Sequence, residues 1–218
     1  MLKGVGVKKS YGNLDVLKGV DIDVKAGEIV SIVGASGAGK STLLHILGIL
    51  DRLDEGQVFI RDTDINKLNQ NELASFRNKN LGFIFQFHNL LPEFTAFENI
   101  CIPGYMSGKT DKEVTDRAQN LMEELGIFHR KDHKPSELSG GEQQRTAVAR
   151  ALINNPGIIF ADEPSGNLDS KNAKELHELF FKLRDKFNQT FVIVTHNEEL
   201  ADMADRKLEI IDGVIINN

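Results

Sequence analysis

The sequence is poor in the features that mark secreted, membrane-spanning and nucleic-acid-binding proteins. Its single cysteine, Cys101, cannot form an internal disulfide, which fits a reducing compartment. No apolar run approaches the roughly 18 residues that cross a membrane, and the N-terminal residues lack the apolar segment of a signal peptide. A net charge of −6 gives no overall basic surface for nucleic acid. We therefore expect a globular chain that does not bind nucleic acid and does not insert into a membrane by itself.

Apolar runs and helical patterns alternate along most of the chain. Short apolar runs typical of buried strands lie at 29–33, 58–60, 81–85, 158–161 and 191–195. Helical periodicity lies at about 70–78, 112–125, 139–153 and 171–187. This alternation predicts an α/β fold with a mainly parallel sheet whose faces are covered by helices.

The ends and the middle of the chain depart from this alternation. Residues 1–27 alternate between apolar and polar side chains, which predicts an antiparallel β subdomain, and 208–216 have the pattern of a hairpin with a two-residue turn. Residues 87–156 hold four of the five prolines and show helical patterns and loops without a strand. We therefore expect a core at about 1–86 and 157–218, with a helical subdomain inserted at about 87–156.

A glycine-rich turn follows the first buried run. Residues 34–41 have the form G-x-x-x-x-G-K-S, and an apolar helical pattern begins directly after them. Such a loop turns backbone N–H groups towards a phosphate, Lys40 can reach the β- and γ-phosphates, and Ser41 can hold Mg²⁺. A chance glycine turn and a dinucleotide-binding turn are the alternatives, but the latter has another glycine spacing. The residues predicted to bind nucleotide are Gly34, Ala35, Ser36, Gly37, Ala38, Gly39, Lys40, Ser41 and Thr42.

Three further buried runs end in side chains suited to nucleotide chemistry. These side chains are Gln86, Asp162, Glu163 and His196. Because the carboxyl ends of parallel strands meet at one edge, we expect them near the glycine-rich loop. Asp162 can hold Mg²⁺ opposite Ser41, and Glu163 can deprotonate an attacking water. Gln86 can touch both the ion and the water, and His196 can donate to a γ-phosphate. Taken singly, each could equally be a satisfied polar residue at a strand end.

The segment 138–144, with the sequence LSGGEQQ, has two interpretations. Ser139 and Glu142 form the capping box of a helix. Gly140 and Gly141 are poor helix formers that a capping box does not need, and they make sense if the helix start closely approaches a phosphate. Because no strand precedes this segment, it need not share the sheet edge used by the other residues.

Together these motifs resemble the ATP-binding cassette, the ATPase subunit of ABC transporters, along the whole chain. The matches are 34–41 with the Walker A loop, Gln86 with the Q-loop, 138–144 with the family signature, 158–163 with the Walker B strand, 165–169 with the D-loop and His196 with the switch histidine. The resemblance implies a P-loop NTPase core, ATP and Mg²⁺ as cofactors, ATP hydrolysis coupled to transport, and Tyr11 stacked on adenine. It also implies a closed dimer in which the signature residues of one copy face the γ-phosphate held by Lys40 of the other.

Three segments narrow the resemblance to the cassettes that serve bacterial lipoprotein release. They are 88–103, 132–142 and 163–173. This implies a peripheral position on the cytoplasmic face of the inner membrane, beneath two transmembrane permease subunits of the LolC/LolE kind. Those subunits would dock near Gln86, Leu91 and Phe94, among apolar side chains that include Phe87 and Leu90; core packing is the alternative role for these side chains. A macrolide-export cassette and an FtsE-like division-signalling ATPase are the alternative functions.

Overall fold

Two sheets and the helices that pack on them make up the fold. The computed structural model describes residues 1–216. The strands are β1 (Leu2–Tyr11), β2 (Leu14–Val24), β3 (Ile29–Val33), β4 (Glu55–Ile60), β5 (Thr63–Asp64), β6 (Leu81–Phe85), β7 (Ile158–Asp162), β8 (Thr190–Val194), β9 (Arg206–Ile211) and β10 (Val214–Ile215). The α-helices are α1 (Lys40–Leu47), α2 (Gln70–Asn80), α3 (Ala96–Met106), α4 (Asp111–Glu124), α5 (Gly140–Leu152), α6 (Ser170–Phe187) and α7 (Glu198–Met203).

The larger sheet has the strand order β10-β9-β3-β8-β7-β6, and all neighbours except β10 and β9 pair in parallel. Its central strands are buried on both faces. Val192 and Val194 of β8 pack into one core, whereas Phe191 and Ile193 pack into the other. This two-sided burial is why the sequence shows continuous apolar runs there, and it confirms the predicted mainly parallel sheet.

The smaller sheet is antiparallel, with the order β2-β1-β4-β5. Strands β1 and β2 confirm the antiparallel structure predicted for residues 1–27. The apolar run at 58–60 belongs to β4 and pairs with β1, so it lies outside the parallel sheet. Only Val58 and Ile60 of β4 are fully buried, because one face of this sheet packs with α1 against the larger sheet. The smaller sheet therefore lies next to the loop that precedes α1.

Helices and loops fill the stretch between β6 and β7, where the described residues contain no strand. Each of α3, α4 and α5 begins with a capping box, which fixes where the helix starts. The three helices pack on one another, and α5 also packs on β6. Helix α5 thus joins the inserted helices to the sheet. Within residues 1–216, none of the helices combines the length and apolarity that crossing a membrane requires.

Candidate functional site

The adjacent strands β3, β8, β7 and β6 end at one edge of the larger sheet. The glycine-rich loop follows β3, and His196 comes shortly after β8. Asp162 is the last residue of β7, and Gln86 directly follows β6. The structure therefore brings together the groups that the sequence placed at strand ends.

The glycine-rich loop closes around the ammonium group of Lys40. Its Nζ donates to the carbonyl oxygens of Gly34 at 2.9 Å and Ala35 at 2.8 Å. Gly34 has a φ of 149°, and a Cβ there would lie 2.3 Å from the carbonyl oxygen of Ile210, so a side chain does not fit. Gly39 precedes α1 with a φ of 103°. The N–H groups at the start of α1 and the Lys40 ammonium give this loop the positive character that an anion needs.

A hydroxyl and a carboxylate meet beside the first turn of α1. Ser41 Oγ donates to Asp162 Oδ1 at 3.1 Å. Burial raises the pKa of Asp162, and the hydrogen bond from Ser41 opposes this rise. His45 lies one turn after Ser41 and places its Nε2 3.7 Å from Asp162 Oδ2. Sequence reasoning missed this position of His45, although its i, i+4 spacing from Ser41 was an available signal.

Glu163 lies just beyond β7 in a left-handed backbone conformation, with a φ of 46°. Such a conformation costs a non-glycine residue roughly 1–2 kcal/mol, so the surrounding structure must hold it. The Glu163 N–H donates to the carbonyl oxygen of Val194 at 2.9 Å. Its Oε2 accepts from the His196 N–H at 3.1 Å and lies 2.8 Å from His196 Nδ1. The side chains of Glu163 and His196 therefore lie within hydrogen-bond distance of each other.

Gln86 is tied to the loop that follows Glu163. Its Nε2 donates to Asn167 Oδ1 at 3.1 Å, and Asn167 Nδ2 donates back to the Gln86 carbonyl oxygen at 3.1 Å. A Cβ on Gly166 would lie 2.9 Å from Gln86 Nε2, so this glycine makes room for the glutamine. Asn167 was not predicted as a site residue, and its only signal was its place within 165–169. The paired amides connect the ends of β6 and β7 beyond the sheet.

Ser139 caps α5 and forms the predicted capping box with Glu142. Glu142 Oε2 accepts from Ser139 N at 2.8 Å and from Ser139 Oγ at 2.9 Å. Arg130 Nε donates to Glu142 Oε1 at 2.7 Å. Burial alone would raise the pKa of Glu142, but the hydrogen bonds from Ser139 and Arg130 outweigh it and lower this pKa to about 2. The carboxylate is therefore firmly ionised at the start of α5, where the helix dipole also favours negative charge.

The two glycines of the signature segment differ in their surroundings. A Cβ on Gly141 would lie 2.5 Å from Asn172 Oδ1, so the Asn172 side chain would have to move to admit a side chain there. A Cβ on Gly140 would meet only Leu168 Cδ2, at an ordinary contact distance of 3.6 Å. Gly140 and Ser139 are both exposed. The packing of residues 1–216 does not require Gly140 to be a glycine, which is consistent with a close approach by another molecule.

Tyr11 is the last residue of β1 and is half-exposed. Its hydroxyl donates to Asp51, and this hydrogen bond raises the pKa of Tyr11. Lys9 Nζ lies 5.1 Å from the centroid of the Tyr11 ring, at a distance typical of a cation–π contact. A planar ligand that stacks on this ring would therefore use the face opposite Lys9.

The segment 87–95 presents several apolar side chains to solvent. Phe87 is 73% exposed, Leu91 44% and Phe94 41%, whereas Leu90 is half-buried. Core packing, the alternative role for these residues, thus applies in part to Leu90 only. A groove of about 600 Å³ lies next to this segment, and its lining includes Phe83, Phe85, Asn89 and Met106. Exposed apolar groups gathered beside a groove are typical of a protein-binding surface.

Two largely buried polar side chains hold the segment 87–95 in place. The Arg150 guanidinium donates to the carbonyl oxygens of His88 and Asn89, each at 2.6 Å. Both residues have left-handed backbone conformations, with φ of 58° and 49°. Burial lowers the pKa of Arg150 to about 10. Asn99 exchanges hydrogen bonds with the backbone of Leu91, at 2.8 and 3.1 Å. The exposed apolar side chains therefore stand on a fixed backbone.

Known proteins share these features along the whole chain. The profile of the ABC transporter family matches residues 17–166. The chain is 62% identical over 216 residues to the lipoprotein-releasing system ATP-binding protein LolD of Cytophaga hutchinsonii. It is 57% identical over 215 residues to the protein of the same name from Bacteroides thetaiotaomicron. Both alignments cover 99% of this chain and 99% of the relative.

Solved structures of dimeric ATP-binding cassettes have the same fold. One is a post-hydrolysis state bound to ADP and Pi, with a TM-score of 0.90, and another is a bacterial ABC transporter cassette, with a TM-score of 0.91. Each is 40% identical to this chain, and the alignments cover 100% of this chain and 97% of the other. The predicted fold class is thereby confirmed.

Proposed function

Because the chain belongs to the ABC transporter family as one of its ATP-binding, ATP-hydrolysing subunits, we propose that it powers the release of lipoproteins from the bacterial inner membrane for sorting to the outer membrane. One observation supports lipoproteins as the substrate class: the chain is 62% identical to a lipoprotein-releasing system ATP-binding protein, over 99% of both chains. A relationship that spans every element of the fold is more than a shared nucleotide motif.

The nucleotide lies, in this proposal, along the edge of the larger sheet. Lys40 and the N–H groups of the loop 34–42 hold its phosphates. The Lys40 ammonium has three protons, of which two already bind loop carbonyls, so it fixes the loop and faces the phosphate at once. Tyr11 stacks on the adenine with the ring face opposite Lys9.

The side-chain oxygen atoms beside α1 are suitable ligands for a magnesium ion. The Ser41 hydroxyl and the Asp162 carboxylate are already within hydrogen-bond distance of each other, and both are the hard oxygen ligands that Mg²⁺ prefers. The Gln86 amide oxygen is a third candidate ligand at the same edge. When bound, the ion would neutralise charge on the phosphates. Ser41 and Asp162 would hold it, and the hydrogen bonds of Asn167 would orient Gln86.

Hydrolysis transfers the γ-phosphoryl group of ATP to water, giving ADP and phosphate. Glu163 accepts a proton from the attacking water, the general-base role in phosphoryl transfer to water. His196, whose Nδ1 lies 2.8 Å from Glu163 Oε2, donates a hydrogen bond from its ring to the γ-phosphate. This hydrogen bond stabilises the negative charge that develops there.

A second copy of the chain completes each site. Ser139 and Gly141 of one copy cap the γ-phosphate held by Lys40 of the other, with Gly140 and Glu142 in the same binding segment. The exposure of Ser139 and the open space around Gly140 support this arrangement. Similar cassettes with solved structures are dimers. Glu142 and Arg130 keep the Ser139 cap in place for this contact.

Two permease subunits of the LolC/LolE kind dock on the segment 87–95 and its groove, near Gln86, Leu91 and Phe94. The exposed apolar side chains and their fixed backbone support this location. We also propose that 87–156 acts as a helical subdomain against a core of 1–86 and 157–218. Docking of this kind would hold the chain at the cytoplasmic face of the inner membrane as a peripheral subunit.

Purification from membranes tests this function. Native membranes are solubilised in mild detergent, the tagged full-length chain is captured, and its partners are identified by mass spectrometry. We expect two related membrane subunits with large extracytoplasmic domains, and ATP-dependent release of a triacylated lipoprotein from proteoliposomes that contain the complex. A single membrane partner associated with cell-wall hydrolases would contradict lipoprotein release and favour division signalling. Release of a macrolide instead of a lipoprotein would favour the export cassette.

A further inference from the structure

Two fully buried polar side chains meet the turn that follows Glu163. Gln144 of α5 and His177 of α6 are each 1% exposed. Gln144 Nε2 donates to the carbonyl oxygen of Pro164 at 2.6 Å, and His177 Nε2 lies 3.1 Å from Ser165 Oγ. Two different helices therefore reach the two residues that come directly after the proposed general base.

The turn is the hydrogen-bonding partner of both side chains. Within residues 1–216, Gln144 Oε1 and His177 Nδ1 are buried without a partner. In the part of the chain that the structure describes, the side-chain hydrogen bonds of Gln144 and His177 go to Pro164 and Ser165. Pro164 and Ser165 are themselves buried, so an apolar side chain in place of Gln144 or His177 would remove the hydrogen bond that the Pro164 carbonyl oxygen or the Ser165 hydroxyl makes there. The turn therefore depends on both polar side chains.

Because Pro164 and Ser165 are anchored, the backbone of Glu163 is also fixed. Glu163 is left-handed, and the ring of Pro164 restricts the next φ angle. The Gly166 N–H donates to the Glu163 carbonyl oxygen at 3.0 Å, which closes a tight turn around Pro164 and Ser165. Glu163 N is bound to Val194 on the other side. Movement of Pro164 or Ser165 would therefore rotate Glu163 and redirect its carboxylate.

We propose that Gln144 and His177 are positioning residues for ATP hydrolysis, which anchor Pro164 and Ser165 and thereby aim the Glu163 carboxylate. The inference rests on the proposed role of Glu163 as the general base. Gln144 lies on α5, whose start carries the Ser139 cap. The same contact therefore links the signature segment to the catalytic turn within one chain.

Ser165 offers the mildest test, since Ser165→Ala removes one hydroxyl and Ser165→Thr keeps it. The purified full-length variants are assayed for ATPase rate against ATP concentration and for melting temperature. We expect Ser165→Ala to lower kcat about tenfold, because small misplacements of a reacting group are costly, while KM for ATP stays within twofold. Ser165→Thr should keep kcat within twofold of the unmodified chain. This rescue and the split between kcat and KM are not expected of a purely structural contact.

Thr190→Val is the matched control for loss of a buried hydroxyl. Thr190 is fully buried at the start of β8, away from the catalytic edge, and its Oγ1 accepts from Gly27 N at 2.9 Å. The Thr190→Val substitution should lower the melting temperature and leave kcat unchanged. If Ser165→Ala behaves like this control, the positioning role is wrong.

Three further variants separate the inference from the function on which it rests. Ser165→Ala combined with His177→Leu should lower kcat no more than the stronger single variant, because both changes remove one hydrogen bond. Independent, multiplicative losses would overturn the inference. Glu163→Gln is assayed in the same series. If it keeps normal turnover, the general-base role itself fails. If it is inactive while Ser165→Ala and Gln144→Met turn over normally, only the positioning role is wrong.

Discussion

The neighbouring carboxylates Asp162 and Glu163 make different contacts because the backbone turns between them. Asp162 is the last residue of β7 and contacts Ser41 and His45. Glu163 is left-handed and contacts His196. A regular strand would also send the two side chains to opposite faces, but the left-handed turn additionally brings Glu163 to the end of β8. The two acids thus serve two partners within one short stretch of chain.

Glu163→Gln tests the general-base role at the scale of one residue. The amide keeps the shape and can still contact His196, but it cannot accept a proton from water. We expect ATP binding within about twofold and a loss of turnover of about 10²-fold or more, as for other general bases. Glu178→Gln, on the exposed part of α6, is the matched control and should turn over normally. A Glu163→Gln chain that hydrolyses ATP at the normal rate would remove Glu163 from this role.

Single residues also show what sequence patterns cannot supply. Lys40, Ser41, Asp162 and Glu163 follow local motifs, so their positions at the sheet edge were predictable. His45 has only its spacing from Ser41 as a signal, and Asn167 has only its place within 165–169. Their contacts depend on α1 lying beside β7 and on β6 and β7 ending side by side. Gln144 and His177 have helical positions typical of core residues, and their polar contacts need the folded turn.

Among the elements, α5 connects the inserted helices, the sheet and the signature segment. Its start depends on an ionised Glu142 held by Ser139 and Arg130. The pKa of Glu142 is about 2 in the folded chain, below its ordinary value of 4.5. Ionised Glu142 therefore stabilises the fold above about pH 4.5, and this stabilisation is lost as the pH falls from about 4.5 towards 2.

Glu142→Gln tests this contribution. Glutamine can still form the capping box but loses the charge that pairs with Arg130. We expect the free energy of unfolding at pH 7 to fall by about 1 kcal/mol, since the pair is partly exposed. Urea unfolding is measured between pH 7 and 3.5. The difference in free energy of unfolding between Glu142→Gln and the unmodified chain should stay constant down to about pH 5 and become smaller below that pH. A difference that persists unchanged at pH 3.5 would contradict the assignment.

The segment 87–95 carries the prediction for the partner surface. Leu91→Glu should lower the stimulation of ATPase by the membrane subunits at least tenfold, because a charge would be buried in an apolar contact. The basal ATPase of the isolated chain should stay within about twofold, since Leu91 is exposed and its hydrogen bonds go to Asn99 and Phe94. Phe94→Glu should behave in the same way. Phe187→Glu, at the exposed end of α6, is the control. Equal losses of basal and stimulated activity would contradict a role of Leu91 and Phe94 in docking.

Long periodic elements were predictable, and short ones were not. The four central strands β3, β6, β7 and β8 and helices α2, α4, α5 and α6 lie where the patterns predicted them. Helix α7 has six residues, too few to show a helical period, and it begins where Asn197 caps it. Strand β4 looked like a buried strand but joins the antiparallel sheet. Three apolar residues do not reveal which strand they will pair with.

At the scale of the molecule, the parallel sheet explains how distant motifs form one site. Residues from 34 to 196 converge because β3, β8, β7 and β6 end side by side. The sequence predicted a common edge but not the strand order, since order depends on contacts between strands far apart in the chain. The start of the signature segment lies outside this edge, where Ser139 and Arg130 hold Glu142, whereas Gln144 at its end reaches the turn that follows Glu163. A second copy must supply it if it acts on the nucleotide.

ATPase measured on a mixture of two inactive variants tests this central claim most directly. In the proposed dimer, Lys40→Ala destroys the phosphate loop of its own chain, and Ser139→Arg blocks the signature offered to the partner. A mixed dimer keeps one complete site, formed by Lys40 of the Ser139→Arg chain and Ser139 of the Lys40→Ala chain. With random pairing we expect recovery of up to about a quarter of the normal rate, because half of the dimers carry one of two sites. Activity no higher than the sum of the two variants alone would contradict a site shared between copies.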